Sequence, residues 1–168
     1  MKAASLALLL ALLGLVAWAA GPAAAAPQTP MVCSALWSSP DAAAVAFASD
    51  GSVFSANYHA GYVGHFSAGG AEISSWSLPR GPAGGVFWPV GIDVDALGNV
   101  CVSDFNNGCV YRCSPEGAVL DTLGWGVLVE PRSIACDRQT HHVYVCDRHG
   151  PSHPTGCLKA TSRGVSLD

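Results

Sequence analysis

From about residue 43 to the end, apolar residues come in short runs and not in long stripes. Ala44 to Ala48 and Ser52 to Asn57 flank Ser49-Asp50-Gly51, and Tyr62 to Ser67 and Ala71 to Leu78 flank Ala68-Gly69-Gly70. Short runs bounded by Gly, Asp and Asn at roughly ten-residue spacing predict antiparallel hairpins joined as a meander. The next stretch shows the plan more sharply. Gly91 to Asp95, Val100 to Asp104, Cys109 to Ser114 and Ala118 to Leu123 are separated by Ala96-Leu97-Gly98-Asn99, Asn106-Asn107-Gly108 and Pro115-Glu116-Gly117. Gly98 and Gly117 stand where a hairpin turn needs positive φ. Ser133 to Asp137, His142 to Asp147, Gly156 to Thr161 and Val165 to Leu167 predict a third, less regular set. No segment after Pro27 sustains apolar residues at the helical period, so the expectation is all-β.

The sets are copies of one another. Val45, Phe47, Gly51, Val53, Asn57, Gly61, Val63 and Gly70 recur 47 residues later as Ile92, Val94, Gly98, Val100, Asp104, Gly108, Val110 and Gly117. A step of 42 to 43 residues carries Pro89, Ile92, Asp95, Val102 and Asp104 to Pro131, Ile134, Asp137, Val145 and Asp147. Such periods mark supersecondary units that bury their faces only by stacking on neighbours.

The middle copy, from Pro89-Val90-Gly91-Ile92-Asp93-Val94-Asp95 through Gly98-Asn99-Val100-Cys101-Val102-Ser103-Asp104 to Asn107-Gly108-Cys109-Val110-Tyr111-Arg112-Cys113-Ser114-Pro115-Glu116-Gly117, resembles an NHL repeat over its whole length. The resemblance reaches the third copy through Pro131 to Asp137 and Val143 to Asp147; in the first, Asn57 replaces the terminal Asp and the leading Pro is displaced to Pro40. It covers roughly residues 40 to 168 and implies β-propeller blades, usually six to a ring. The expected organisation is a signal peptide over 1–26, a lead-in segment over 27–42, and blades of about 43–88, 89–130 and 131–168. About three four-stranded sheets make a partial propeller, since closure takes at least about four blades. Open radial edges leave rows of unpaired backbone groups. Three resolutions stand side by side: a longer gene product, two copies completing a ring of six, or a stable open stack.

The leader reading rests on Lys2, the apolar run Leu6 to Val16 and the alanines that follow, with cleavage expected at Ala19 or within Ala23 to Ala25. An uncleaved anchor is the competing reading, because Ala3 to Ala20 approaches the roughly 20 apolar residues of a span. After cleavage no membrane span is expected and the protein is secreted. Without Lys2, seven Lys and Arg face twelve Asp and Glu. That acidic balance, with no basic stripe, disfavours nucleic-acid binding.

Several residues are candidates for chemistry. Asp104 and Asp147 end equivalent strands; they suit either a carboxylate site at the channel mouth or, as the favoured reading, acceptors for backbone N–H groups of a turn. Some secreted NHL-type propellers are lyases of peptidyl hydroxyglycine with zinc held by histidines from different blades. By that resemblance His59 and His149, in matching turns, are metal candidates, for zinc or calcium; catalytic zinc needs three side chains plus water, and the sequence offers no third ligand. Solvated loop histidines are the favoured account of all six.

Seven cysteines lie beyond the leader, where disulfides persist. Period-two reasoning places Cys101, Cys109 and Cys113 on one face, opposite Val100, Val102 and Val110, which allows bridges Cys101–Cys113 and Cys146–Cys157, with connectivity open. Trp37, Trp76, Trp88 and Trp125 are expected to wedge between blades, or else to form a binding surface. No catalytic residue is assigned and no cofactor is expected. The leading expectation is a secreted, non-enzymatic scaffold presenting blade loops to a protein, peptide or glycan ligand. A metal-dependent lyase or hydrolase of the propeller type, peptidyl-hydroxyglycine lyase-like, is the alternative, and a truncated relic is the third reading.

Overall fold

The computed structural model describes residues 39, 41–81 and 84–148, and the backbone of 156–161 and 164–167. The expected leader, the strand expected at Cys33–Ser38, Trp37, His149 and His153 lie outside the described residues. Every regular element described is a strand: β1 (Ala42–Phe47), β2 (Val53–Asn57), β3 (Tyr62–Phe66), β4 (Glu72–Trp76), β5 (Pro89–Val94), β6 (Val100–Asp104), β7 (Cys109–Cys113), β8 (Val119–Leu123), β9 (Pro131–Cys136), β10 (Val143–Asp147), β11 (Gly156–Thr161) and β12 (Gly164–Leu167). They pair in chain order into three four-stranded antiparallel sheets, β1–β4, β5–β8 and β9–β12. The all-β blade architecture read from the sequence is the architecture found.

The blades stack face to face. Ala46, Phe54, Ala56 and Val63 of the first blade bury against Val94, Val100, Val102 and Tyr111 of the second. The opposite face of the second blade, with Cys101, Val110 and Leu123, packs on Val143 and Val145 of the third. Sandwiched in this way, β6 is buried at every position, whereas the outer strand β8 is mostly exposed or half-buried. Along the inner side, β1 packs on β5 and β5 on β9. Gly91 makes that close approach possible: a Cβ there would stand 2.1 Å from the Arg132 carbonyl oxygen. A single added methyl would push β5 and β9 apart.

Each blade also slips register at the mouth of its first strand pair, between Ala42 and Ala44, Pro89 and Ile92, and Val145 and Asp147. Pro89 and Pro131 lack the N–H that a regular ladder would use there, which fits a bulge. The turns follow the glycine pattern, with Gly98 at φ 83° and Gly117 at φ 91°. Gly117 has a second reason to be glycine, because a Cβ would meet the Trp76 ring at 2.6 Å. Trp76 is therefore a wedge between blades, its Nε1–H donating to the Pro115 carbonyl at 3.1 Å.

Candidate binding cleft at the junction of the first two blades

Asp104 is completely buried and anchors this region. Its Oδ1 accepts from the backbone N–H of Trp88 at 3.2 Å, Asn106 at 3.1 Å and Asn107 at 3.2 Å, and its Oδ2 accepts from Asn107 Nδ2 at 2.7 Å. One carboxylate thus ties the β6–β7 turn to the linker that enters β5. Asn107 extends the tie, donating to the carbonyls of Gly85 and Val86 while its Oδ1 accepts from the Gly85 N–H. In the third blade Asp147 accepts from the linker amides of Val129 at 3.0 Å and Glu130 at 2.7 Å. Asn57, at the same position of the first blade, accepts from Ser39 Oγ at 2.7 Å instead.

These ties shape a cleft of about 380 Å³ lined by His59, Gly61, Ser77, Arg80, Phe87 and Trp88 among others. Ser77 Oγ donates to the Gly61 carbonyl and closes one side. Arg80 is exposed at the rim and donates to the Gly84 carbonyl at 2.9 Å. An aromatic floor continues beyond it. The Tyr58 ring lies 4.5 Å from His59, 5.3 Å from Trp88 and 6.3 Å from Phe105, and Trp88 stacks on Phe105 at 6.3 Å. Arg132 covers the far end, its guanidinium 5.1 Å from the Phe105 centroid. Arg132 is paired with Glu130 at 3.9 Å, so the exposed Arg80 at the rim is the cation this aromatic surface offers to a ring-bearing ligand with negative charge.

Trp88 and His59 were legible as candidates in the sequence, whereas Tyr58, Arg80, Phe105 and Arg132 were not singled out. A signal for two of them was present: Tyr58 and Phe105 each follow the terminal residue of a second strand and are 47 residues apart, one repeat step. Of the other expected wedges, Trp125 is exposed. His59 has Tyr58 beside it, and among the described residues no group of three His, Cys, Asp or Glu is placed to hold a metal ion. His149, the other metal candidate, lies outside the described residues.

The cysteine faces require a correction. The β6–β7 turn pairs Asp104 with Cys109, so Cys101 falls opposite Arg112 and Cys113 opposite Val100. Period two holds along a strand, but register decides faces between strands. Cys109 and Cys113 therefore share the face of Val100 and Val102 toward the first blade, while Cys101 shares the face of Val110 toward the third. Cys101 and Cys113 point away from each other through the sheet, both are free, and a bridge between them is ruled out by register. Cys146 lies directly opposite Cys157 in the β10–β11 ladder and is free in the structure.

Burial pushes the Cys109 thiol up to about 12, and burial does the same to Cys113, also to about 12. Tyr111, between them on the same face, is likewise held neutral by burial. Cys101 behaves differently: a hydrogen bond from the Cys136 thiol, helped by the Arg112 guanidinium, lowers its pKa.

None of the described residues forms a helix long and apolar enough to cross a membrane. No curated protein matches the chain. Among solved structures, a catalytically inactive virginiamycin B lyase from Staphylococcus aureus with quinupristin is similar at 17% identity and TM-score 0.59, covering 73% of this chain and 39% of that one. A luciferin-regenerating enzyme is similar at 17% identity and TM-score 0.57, over 74% of this chain and 46% of that one. The WD40 β-propeller domain of Doa1 is similar at 12% identity and TM-score 0.52, over 74% of this chain and 36% of that one. The chain spans less than half the length of each, and at these identities the likeness concerns the fold. The family model described as NHL repeat matches residues 88–111, from the end of the linker to the middle of β7. With that match in the second blade and propellers as structural neighbours, the chain is an array of three propeller-type blades, the second of which is similar to an NHL repeat over residues 88–111.

Proposed function

We propose that this chain is a secreted, non-enzymatic binding module whose cleft between the first two blades takes a ligand that combines a ring with negative charge, borne on a protein, peptide or glycan. The observation that carries this reading is the continuity of the cleft with the aromatic floor. Trp88 belongs to both, Arg80 edges one end and Arg132 the other. A carboxylate seated at Arg80 with its ring against Trp88 would use both features at once.

The test is a printed array of acidic and neutral glycans together with a displayed peptide library, probed with the full secreted chain. Acidic, ring-bearing probes are expected to bind, and Trp88→Ala or Arg80→Ala should weaken them at least about tenfold, the scale of losing one well-packed anchor. Binding that both variants leave intact would move the site elsewhere. N-terminal sequencing of the product in the medium tests secretion; a start between residues 20 and 26 is expected, and retention of Met1 would overturn it.

The first blade also exposes Val45, Phe47 and Ile73, between 56% and 63% accessible. Val45 and Phe47 alternate with the buried Ala46 and so belong to the face turned away from the second blade. We read this face as a place for a further blade, from a partner or from a second copy of the chain. Sedimentation equilibrium distinguishes self-association from a monomer.

A further inference from the structure

The interface between the second and third blades brings two thiols together that the pattern of the sequence kept apart. Cys101 is wholly buried in the core shared by these blades, and Cys136 packs against the same cluster from β9. The Cys136 backbone N–H donates to Asp93 Oδ2 at 2.7 Å, and Asp93 is the ladder partner of Cys101 in the β5–β6 pair. The end of β9 is thereby tied to the ladder partner of Cys101. Arg112, opposite Cys101 in the β6–β7 ladder, stands with Nε 3.5 Å from Asp95 Oδ2, and that buried Nε makes no hydrogen bond.

We propose that Cys101 and Cys136 are an oxidation site, forming a disulfide that staples the second blade to the third. Both side chains belong to the same packed cluster, and their mutual contact lowers the pKa of Cys101 and raises that of Cys136. Cys136 is only partly buried and is the thiol an oxidant can reach. The oxidant is a small or protein disulfide, RSSR. Cys136 loses its proton to solvent and attacks as the thiolate; one sulfur of RSSR bonds to Cys136 Sγ and the other leaves as RS⁻, which takes up a proton to give RSH. Cys101 Sγ then attacks the Cys136 sulfur, expelling the second RS group, which leaves as RSH with the remaining proton. Two protein thiols are oxidised to one disulfide and RSSR is reduced to two RSH. The other described thiols are poorly placed for this exchange. Cys109 and Cys113 are buried on the opposite face with raised pKa values, and Cys146 faces away from the second blade.

The full chain is purified reduced, equilibrated in a reduced and oxidised glutathione buffer, blocked with iodoacetamide and digested without reduction. A peptide containing Cys101 linked to one containing Cys136 is the expected product, whatever the compartment in which the chain normally resides. Oxidised protein should also unfold at least about tenfold more slowly in urea than reduced protein, since the link closes a loop that spans two blades. Both cysteines recovered as alkylated monomers at oxidising potentials, or Cys101 linked to any cysteine other than Cys136, would overturn the proposal. Cys136→Ser, checked for folding by circular dichroism, should leave the urea kinetics insensitive to oxidised glutathione. Retained sensitivity would assign the effect to another pair and count against it.

Discussion

The two interfaces of the middle blade are built from the same strands yet held by different forces. Toward the first blade, β6 and β7 present Val100, Val102 and Tyr111 to Phe54, Ala56 and Val63, with Tyr111 edge-on to Phe87 at 6.1 Å. Toward the third, they present Cys101 and Val110 to Val143 and Val145, and Ser103 and Arg112 add directional contacts beside that cluster. Ser103 Oγ donates to the Arg132 carbonyl at 2.6 Å and accepts from the Gly91 N–H at 2.7 Å, while Arg112 Nη2 reaches the His141 carbonyl at 3.4 Å. Area removed from water holds the first interface, whereas the second adds directional polar contacts to its own apolar cluster. The lesson is that alternate residues of one strand can give a repeat two unlike joints, one tolerant of repacking and one dependent on register.

The strongest blow to the apolar joint should come from Phe54→Ala. The side chain is 1% exposed at the centre of the shared core, so truncation removes a large buried area and leaves a cavity. A loss of about 3–5 kcal/mol is expected from urea unfolding. A loss under about 1 kcal/mol would mean that the blades are not packed on each other as described.

The same joint predicts a sensitivity to alkali. Cys109 and Cys113 have folded pKa values of about 12 against an ordinary 9.0, because burial penalises the thiolate. A group raised in the folded state contributes fully below its unfolded pKa, and that contribution is lost as pH rises toward the folded value. Stability should therefore be level below about pH 9 and fall between pH 9 and 12 as the unfolded chain ionises first. Urea midpoints at pH 8, 9 and 10 check the sign, and Cys109→Ala with Cys113→Ala should flatten the slope.

How much of this was readable beforehand differs between the two joints. Short apolar runs and Gly-bearing turns carry the strand plan, and the repeat steps carry the stacking, because both depend on local chemistry that residue type expresses directly. Val100, Val102 and Val110 are core by type alone. Which face each joins depends on whether the β6–β7 turn pairs even with odd positions, and one residue in that turn decides it. The error over Cys101 and Cys113 came from there. The cleft was half legible: Trp88 and His59 stand out by type, but Arg80 and Arg132 are ordinary cations until folding sets them at either end of the aromatic floor. Asp104 was read as a choice between site and cap; its acceptors are filled by turn and linker amides.

The polar joint is tested by Ser103→Ala. This removes the donor to Arg132 and the acceptor for Gly91 together, leaving one buried and one part-buried backbone group short of a partner. About 1–3 kcal/mol should be lost. Because alanine fits the space, packing should be unchanged, and Ser103→Cys, with a weaker donor, should fall between the two. A substitution without effect would show that water replaces the hydroxyl and that this joint is wetter than drawn.

The smallest effect separates ring from hydrogen bond at the outer rim of the apolar joint. Trp76 lays its ring against Gly117 and donates from Nε1 to the Pro115 carbonyl at 3.1 Å. Trp76→Phe keeps an aromatic face there and removes the donor, so the expected loss is only about 0.5–1.5 kcal/mol, the net worth of one hydrogen bond near solvent. Trp76→Ala removes both and should cost visibly more. If the two variants were equal, the ring would contribute nothing to the contact between β4 and the β7–β8 turn, and the wedge would be a tether. A Phe variant close to wild type with a weakened Ala variant would instead place the rim with the rest of the joint, held by apolar area and indifferent to its one polar link.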